Sequence, residues 1–158
     1  MTSQIPMSES FEIASIPSEI EGICNKIIAD MGNAKFSKDD VFAVHLALEE
    51  ALINAVKHGN QMDPSKKVKV EYTINTNKIK ITIEDEGRGF KPDEVPDPRL
   101  GENLYKYDGR GLLLIQSFMD QVEFNEYGNC LNMIRFKDRG GQIADKESKV
   151  LRKKTDTI

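Results

Sequence analysis

The stretch EEALINAVKHGN, residues 49–60, decides how this chain is interpreted. Between residues 41 and 56 only four side chains are clearly polar: His45, Glu49, Glu50 and Asn54. A helix that is apolar nearly all round is buried over most of its surface. The pattern therefore predicts a buried helix, and it raises the question of why that helix carries two glutamates and an asparagine.

Helical geometry separates the two glutamates. At about 100° per residue, His45 and Glu49 share one narrow stripe, which predicts a solvated face. Glu50 and Asn54 share a different stripe with small apolar residues, so we expect both to be buried side by side. An unpaired buried carboxylate is costly, so these groups require a partner, a ligand or a cation. A side-chain or helix-capping network inside the protein would also satisfy them.

A second polar group follows a predicted strand in IEDEGRGF, residues 83–90. The alternation that turns Ile81 and Ile83 inward makes Asp85 the next inward residue, where the strand ends. Gly87 and Gly89 allow the backbone to approach closely. This arrangement suits a flat ligand that donates hydrogen bonds, such as an adenine amino group. A plain turn carrying an aspartate is the alternative.

The third candidate is DGRGLLLIQSFMD, residues 108–120, in which two glycines open an apolar helix. The free N–H groups and the positive end of the helix dipole favour an anion there. Arg110 adds a positive charge between the glycines. This is not the dinucleotide fingerprint, because no strand runs into it and the third glycine is missing.

The remaining periodicity predicts a two-layer α+β sandwich, with an antiparallel or mixed sheet and helices on one face. We expect one domain over residues 1–137, a long loop over 90–108 and a mobile tail over 138–158. Strands are predicted at 10–16, 67–74, 78–84, 121–127 and 130–137, and helices at 17–31, 37–58 and 111–120.

Composition narrows the function classes. A net charge of −4 and a pI near 5.3 argue against direct nucleic-acid binding. No membrane-spanning apolar run and no signal peptide are recognisable, so we expect a cytoplasmic protein with no membrane partner. Cys24 and Cys130 lack metal-type spacing, which favours reduced, partly buried thiols.

The order of the three motifs is more specific than any one of them. E-x-x-x-N on a helix, D-x-G-x-G-F at a strand end, a long loop and G-x-G-L before a helix resemble the Bergerat (GHKL, HATPase_c) ATP-binding fold. The resemblance covers about residues 8–137. It is strongest to the RsbW-type anti-sigma factor serine kinases, through the single-domain length, EEALINAVKHGN and GRGLLLIQSFMDQVEF.

The resemblance implies a role for each motif. Glu50 would be the general base, Asn54 would hold Mg²⁺, and Asp85 would read the adenine amino group of ATP. Residues 90–108 would form the ATP lid. The other positions that it assigns to nucleotide binding are Lys57, Gly87, Gly89, Phe90, Gly109, Arg110, Gly111 and Leu112.

The resemblance also implies partners. These are an anti-anti-sigma protein of the STAS type, phosphorylated on serine, an RNA polymerase sigma factor, and a second copy in a homodimer. A sensor histidine kinase would need an upstream phosphoacceptor helix, for which too few residues precede the site helix, and a gyrase- or Hsp90-like ATPase would need a transducer domain. Two alternatives stay open: a module that uses ATP only to hold a partner, without kinase turnover, and an α+β domain without nucleotide.

Overall fold

The computed structural model describes residues 6–87 and 109–137 of the chain. Its strands are β1 (Met7–Ala14), β2 (Lys67–Ile74), β3 (Lys78–Glu84), β4 (Gln121–Phe124) and β5 (Cys130–Phe136). Its helices are α1 (Ile20–Asn33), α2 (Lys38–Ile53) and α3 (Gly109–Phe118). The predicted lid over 90–108, the tail over 138–158, Gly89 and Phe90 lie outside the described residues.

The five strands form one sheet in the order β1-β2-β3-β5-β4, and every neighbouring pair is antiparallel. This confirms the predicted α+β sandwich. Strands β2 and β3 have the predicted bounds, because their alternating isoleucines and valines are the residues that the sheet buries. The register pairs Val70 with Ile83, which brings the two buried rows side by side.

Helix α2 begins where the sequence predicts, because the Ser37 side chain accepts a hydrogen bond of 3.1 Å from the Asp40 N–H. Its end differs from the prediction. The α-helix stops at Ile53, and the chain continues as one wider π-helical turn over Asn54–Gly59 instead of running as α-helix to His58. Local sequence does not distinguish these two kinds of turn, because both keep the same apolar residues buried.

The ends of several other elements also differ from the prediction. Strand β1 covers Met7–Ala14 rather than 10–16, since pairing with β2 extends to Met7 opposite Ile74. A short 3₁₀ turn, Pro17–Glu19, precedes α1, and α3 begins at Gly109 rather than Gly111. Strand β4 ends at Phe124 rather than at 127.

A buried ion pair links the sheet to the helical layer. Nε and Nη2 of Arg135 both lie 3.0 Å from Oδ1 of Asp40, and the two residues are 2% and 0% exposed. Nη1 of Arg135 donates a 2.8 Å hydrogen bond to the carbonyl of Phe118, the last residue of α3. Strand β5 therefore holds the start of α2 and the end of α3 together.

Cys24 is buried and Cys130 is half-buried, and both are free thiols, as predicted. Burial raises the pKa of Cys24 to about 12, so this thiol stays protonated. Over residues 6–87 and 109–137, the structure has no helix that is both long and apolar enough to span a membrane.

Candidate functional site

Glu50 and Asn54 converge on the first turn of α3. A Cβ placed on Gly111 would lie 2.6 Å from Oε2 of Glu50 and 3.6 Å from Nδ2 of Asn54. Asn54 is 8% exposed, as predicted, whereas Glu50 is only half-buried. The expectation that Glu50 is buried beside Asn54 is met in part, since Glu50 lies beside Gly111 of α3 with Asn54 but is half-buried.

Glu49 has a different environment. Its Oε1 lies 2.9 Å from Nε2 of His45, and both side chains are well exposed. The helical stripe that predicted this solvated pair is confirmed. Of the two adjacent glutamates, Glu50 is the one that faces α3.

Asp85 lies at the end of β3 and is only 7% exposed, as the strand alternation predicted. Its N–H donates to the carbonyl of Asn129 at 2.9 Å, and its carbonyl accepts from Nδ2 of Asn129 at 3.3 Å. Its Oδ1 accepts the Gly87 N–H at 2.8 Å. Within the described ranges, no hydrogen bond reaches Oδ2, which is the carboxylate oxygen nearer to Gly59.

Two glycines enclose the Asp85 carboxyl group. A Cβ on Gly59 would lie 2.3 Å from Cγ and from Oδ2 of Asp85, and a Cβ on Gly87 would lie 2.0 Å from the carbonyl oxygen of Gly59. No other residue type fits either position, because real Cβ atoms do not approach so closely. Gly87 was predicted as a site residue. Gly59 directly follows the helix predicted over 37–58, and no local signal shows that it meets a residue 26 positions away.

Burial raises the pKa of Asp85 to about 6, and the nearby charge of Glu84 acts in the same direction. The Gly87 N–H opposes this shift because it stabilises the carboxylate. A carboxyl pKa that burial raises in this way is common at functional sites.

Asn54 and Asp85 line one cleft that is open to solvent. Its walls are apolar and come from both layers: Ala51 and Ala55 of α2 and its following turn, Ile83 of β3, Ile115 of α3 and Leu131 of β5. A flat apolar group with a polar edge matches this lining.

Among the residues whose side chains the structure describes, the other predicted nucleotide-binding residues do not line the cleft that contains Asn54 and Asp85. Lys57 is exposed on the π-helical turn, and Leu112 is half-buried in α3. Gly109 and Arg110 form the first backbone positions of α3. Gly89 and Phe90 fall outside the described ranges.

Residues 16–135 match the family model of the histidine kinase-like ATPase domain. The chain belongs to this family. Its similarity to a solved structure agrees: the RsbU and RsbW domains of a Mycobacterium tuberculosis protein superpose with a TM-score of 0.57 at 11% identity, covering 83% of this chain and 32% of that one.

Curated relatives are more similar in sequence. The chain is 34% identical over 87 residues to an anti-sigma F factor of Oceanobacillus iheyensis, which covers 54% of this chain and 60% of that protein. It is 30% identical over 96 residues to a serine-protein kinase RsbW of Listeria monocytogenes, covering 57% and 61%. A second RsbW, from O. iheyensis, is 26% identical over 126 residues, covering 75% and 80%. The chain thus spans about 60% of the length of the first two relatives.

Proposed function

We propose that this histidine kinase-like ATPase domain is an anti-sigma factor serine kinase. It binds Mg-ATP, phosphorylates a serine on an anti-anti-sigma protein of the STAS type, and sequesters a sigma factor. The observation that carries this proposal is the convergence of Glu50 and Asn54 on the first turn of α3, beside the cleft that contains Asp85. The similarity to proteins named serine-protein kinase RsbW and anti-sigma F factor supports the choice of reaction and partners.

Asp85 would select the base. Its carboxylate would accept a hydrogen bond from the adenine amino group, while Oδ1 is held by Gly87. Gly59 and Gly87 keep side chains away from this carboxylate, and the apolar lining of Ile83, Ile115 and Leu131 would suit the ring. Gly89 and Phe90 would adjoin the base in the same proposal.

The other end of the cleft would hold phosphates. The first turn of α3, from Gly109 to Leu112, would offer N–H groups and a positive dipole end, and Arg110 in this turn would add a positive charge. Lys57 would add a positive charge from the π-helical turn. The absence of a side chain at Gly111 leaves room next to Glu50 and Asn54.

The donors at this end fit Mg²⁺. Asn54 offers an amide oxygen, and hard oxygen ligands are those that Mg²⁺ prefers. Within the part of the chain that the structure describes, no cluster of three His, Cys, Asp or Glu residues would hold a metal by itself. Magnesium commonly completes its ligands with substrate phosphates and water, which agrees with Asn54 as a single protein ligand.

Bound Mg-ATP would supply the transferable phosphoryl group and neutralise its charge. Glu50 would take the proton of the attacking serine hydroxyl as the serine oxygen bonds to phosphorus and the bond to the ADP leaving group breaks. The residue is half-buried, so a protein substrate has access to it. Removal of a general base costs about 10²–10⁴-fold in rate.

We further propose a cytoplasmic homodimer, in which β1 and α1 contribute the interface. The sheet order supports this location, since β1 is an edge strand.

Calorimetric titration with ATP, with and without Mg²⁺, tests the site. Magnesium-dependent binding that Asn54→Ala weakens is the expected result. Transfer of labelled phosphate from ATP to the serine of a STAS-type protein then tests the kinase reaction. Binding without transfer would favour the alternative, a module that uses ATP only to hold its partner, and the absence of any ATP binding would refute both.

A further inference from the structure

Asn60 is a buried polar residue to which the proposed reaction gives no role. It is 0% exposed and lies directly after the π-helical turn. Its Nδ2 donates to Oγ of Ser15 at 2.7 Å and to the carbonyl of Lys67 at 3.0 Å. Its Oδ1 accepts the N–H of Glu86 at 2.7 Å. One side chain thus joins three segments that are distant in sequence.

The turn around Asn60 has an unusual backbone. The π-helical turn Asn54–Gly59 precedes it, and two non-glycine residues with positive φ follow it: Gln61 at 52° and Met62 at 58°. Residues with side chains rarely adopt this left-handed region unless the surrounding structure holds them there. Single π-helical turns also occur frequently at functional sites.

Asn60 connects two backbone segments, Gly59 and Glu86–Gly87, and these segments lie on either side of the Asp85 carboxyl group. Gly59, directly before Asn60, lies against the Asp85 carboxyl group. Glu86, whose N–H Asn60 binds, directly follows Asp85, and the next residue, Gly87, contacts the carbonyl of Gly59. The Asn60 amide therefore determines the separation of the two backbones between which this carboxylate lies.

We infer that Asn60 is a positioning residue for adenine recognition: its Oδ1 holds Glu86, and its backbone continues from Gly59, so that the Asp85 carboxyl group is held between Gly59 and Gly87 at the wall of the cleft. This inference rests on the proposed role of Asp85 in reading the adenine amino group. It adds a residue that contacts no nucleotide and acts through Asp85.

Two hydrogen bonds of Asn60 can be tested separately, because one serves the fold and the other reaches the residue next to Asp85. The contact with Ser15 ties the turn to the corner after β1, where Ser15 also donates to the carbonyl of Lys66 at 2.8 Å. The contact with Glu86 reaches the residue next to Asp85. Ser15→Ala removes the first contact and leaves the second, which makes it the matched control for Asn60→Ala.

The test compares two nucleotides that differ only in the group that Asp85 would read. Affinities for ATP and for purine riboside 5′-triphosphate, which lacks the 6-amino group, are measured by calorimetry for the wild type, Asn60→Ala and Ser15→Ala, with melting temperatures beside them. We expect the wild type to prefer ATP and Asn60→Ala to lose about tenfold of that preference, since a hydrogen bond to a charged group is worth roughly that factor. Ser15→Ala should melt lower and keep the wild-type preference.

The possible failures are distinguishable. A wild type that binds both nucleotides equally would refute the adenine role of Asp85 and so the proposed site. A wild type that prefers ATP, with an Asn60→Ala variant that keeps the same ratio of affinities, would overturn the inference about Asn60 alone.

If Asn60→Ala does not fold, hydrogen exchange of the wild-type backbone amides, measured by NMR, tests the inference about Asn60 instead. Protection of the Glu86 N–H together with a change in its chemical shift on addition of ATP supports the inference. Fast exchange, or no response to ATP, contradicts it.

Discussion

The carboxylate of Glu50 lies against the backbone of Gly111, so that a Cβ at residue 111 would be 2.6 Å from Oε2. The atom it would meet is the far end of a flexible side chain rather than backbone. Glu50 can therefore move aside, and the fold tolerates the added methyl group. The displaced carboxylate no longer lies where the proposed reaction needs a base.

This relationship predicts that Gly111→Ala keeps its melting temperature and loses phosphoryl transfer. Alanine is about 1 kcal/mol better than glycine within a helix, which offsets the cost of moving Glu50. Circular dichroism and a transfer assay measure the two effects separately. The control is Gln116→Ala, an exposed position of the same helix, where transfer should be unchanged. Full transfer activity in Gly111→Ala would contradict the role of the contact.

The two adjacent glutamates are expected to respond in opposite ways. Glu50→Ala should bind ATP and lose about 10²–10⁴-fold in transfer rate, as expected for removal of a general base. Glu49→Ala breaks only the exposed contact with His45, so its transfer rate should equal that of the wild type. Rates with saturating Mg-ATP provide the comparison. If Glu49→Ala lost transfer instead, the assignment of the base would be wrong.

Asp85→Asn is predicted to raise the free energy of unfolding at pH 7.5 and to abolish ATP binding. The raised pKa of Asp85, about 6, means that the folded protein holds the proton more tightly than the unfolded chain does. Its contribution to the free energy of unfolding is therefore fully present at about pH 3.8 and below, and is lost as the pH rises through about 6. The asparagine variant avoids this loss, so at pH 7.5 it should be more stable by about 1–2 kcal/mol, after a discount for partial solvation.

Denaturant titrations at pH 7.5 and pH 4 measure this difference, which should shrink at the lower pH. ATP binding by Asp85→Asn should be abolished at every pH, because its amide no longer presents a carboxylate to the adenine amino group. In the wild type, ATP binding should weaken as the pH falls below about 6. Unchanged nucleotide affinity in the variant would refute the adenine role.

Arg135→Met is predicted to be strongly destabilising. It leaves the Asp40 carboxylate without its guanidinium partner in the interior, and loss of one member of a buried pair costs about 3–5 kcal/mol. The double variant Asp40→Leu/Arg135→Met should recover part of that loss, since the buried carboxylate is removed together with the guanidinium. The control is Lys69→Met, which breaks an exposed pair with Glu71 and should change stability by less than about 0.5 kcal/mol. If the double variant lost as much stability as the two single variants together, the coupling between Asp40 and Arg135 would be contradicted.

The sequence by itself determined the order of the elements, the bounds of β2 and β3, the cap at Ser37 and the different faces of Glu49 and Glu50. These features follow from local periodicity, because burial on one side of a strand or helix repeats every two or every three to four residues. The identity of Asp85 as an inward residue follows from the same alternation.

Only the tertiary structure decided how the site is enclosed. It revealed that α2 ends in a π-helical turn, that Gly59 lies against Asp85, that Asn60 joins Ser15, Lys67 and Glu86, and that Glu50 extends to Gly111. Each contact joins segments separated by seven to sixty-one residues of chain. Their approach depends on how the sheet and the helices pack together, and no repeat within one segment records which backbone will come to lie against it.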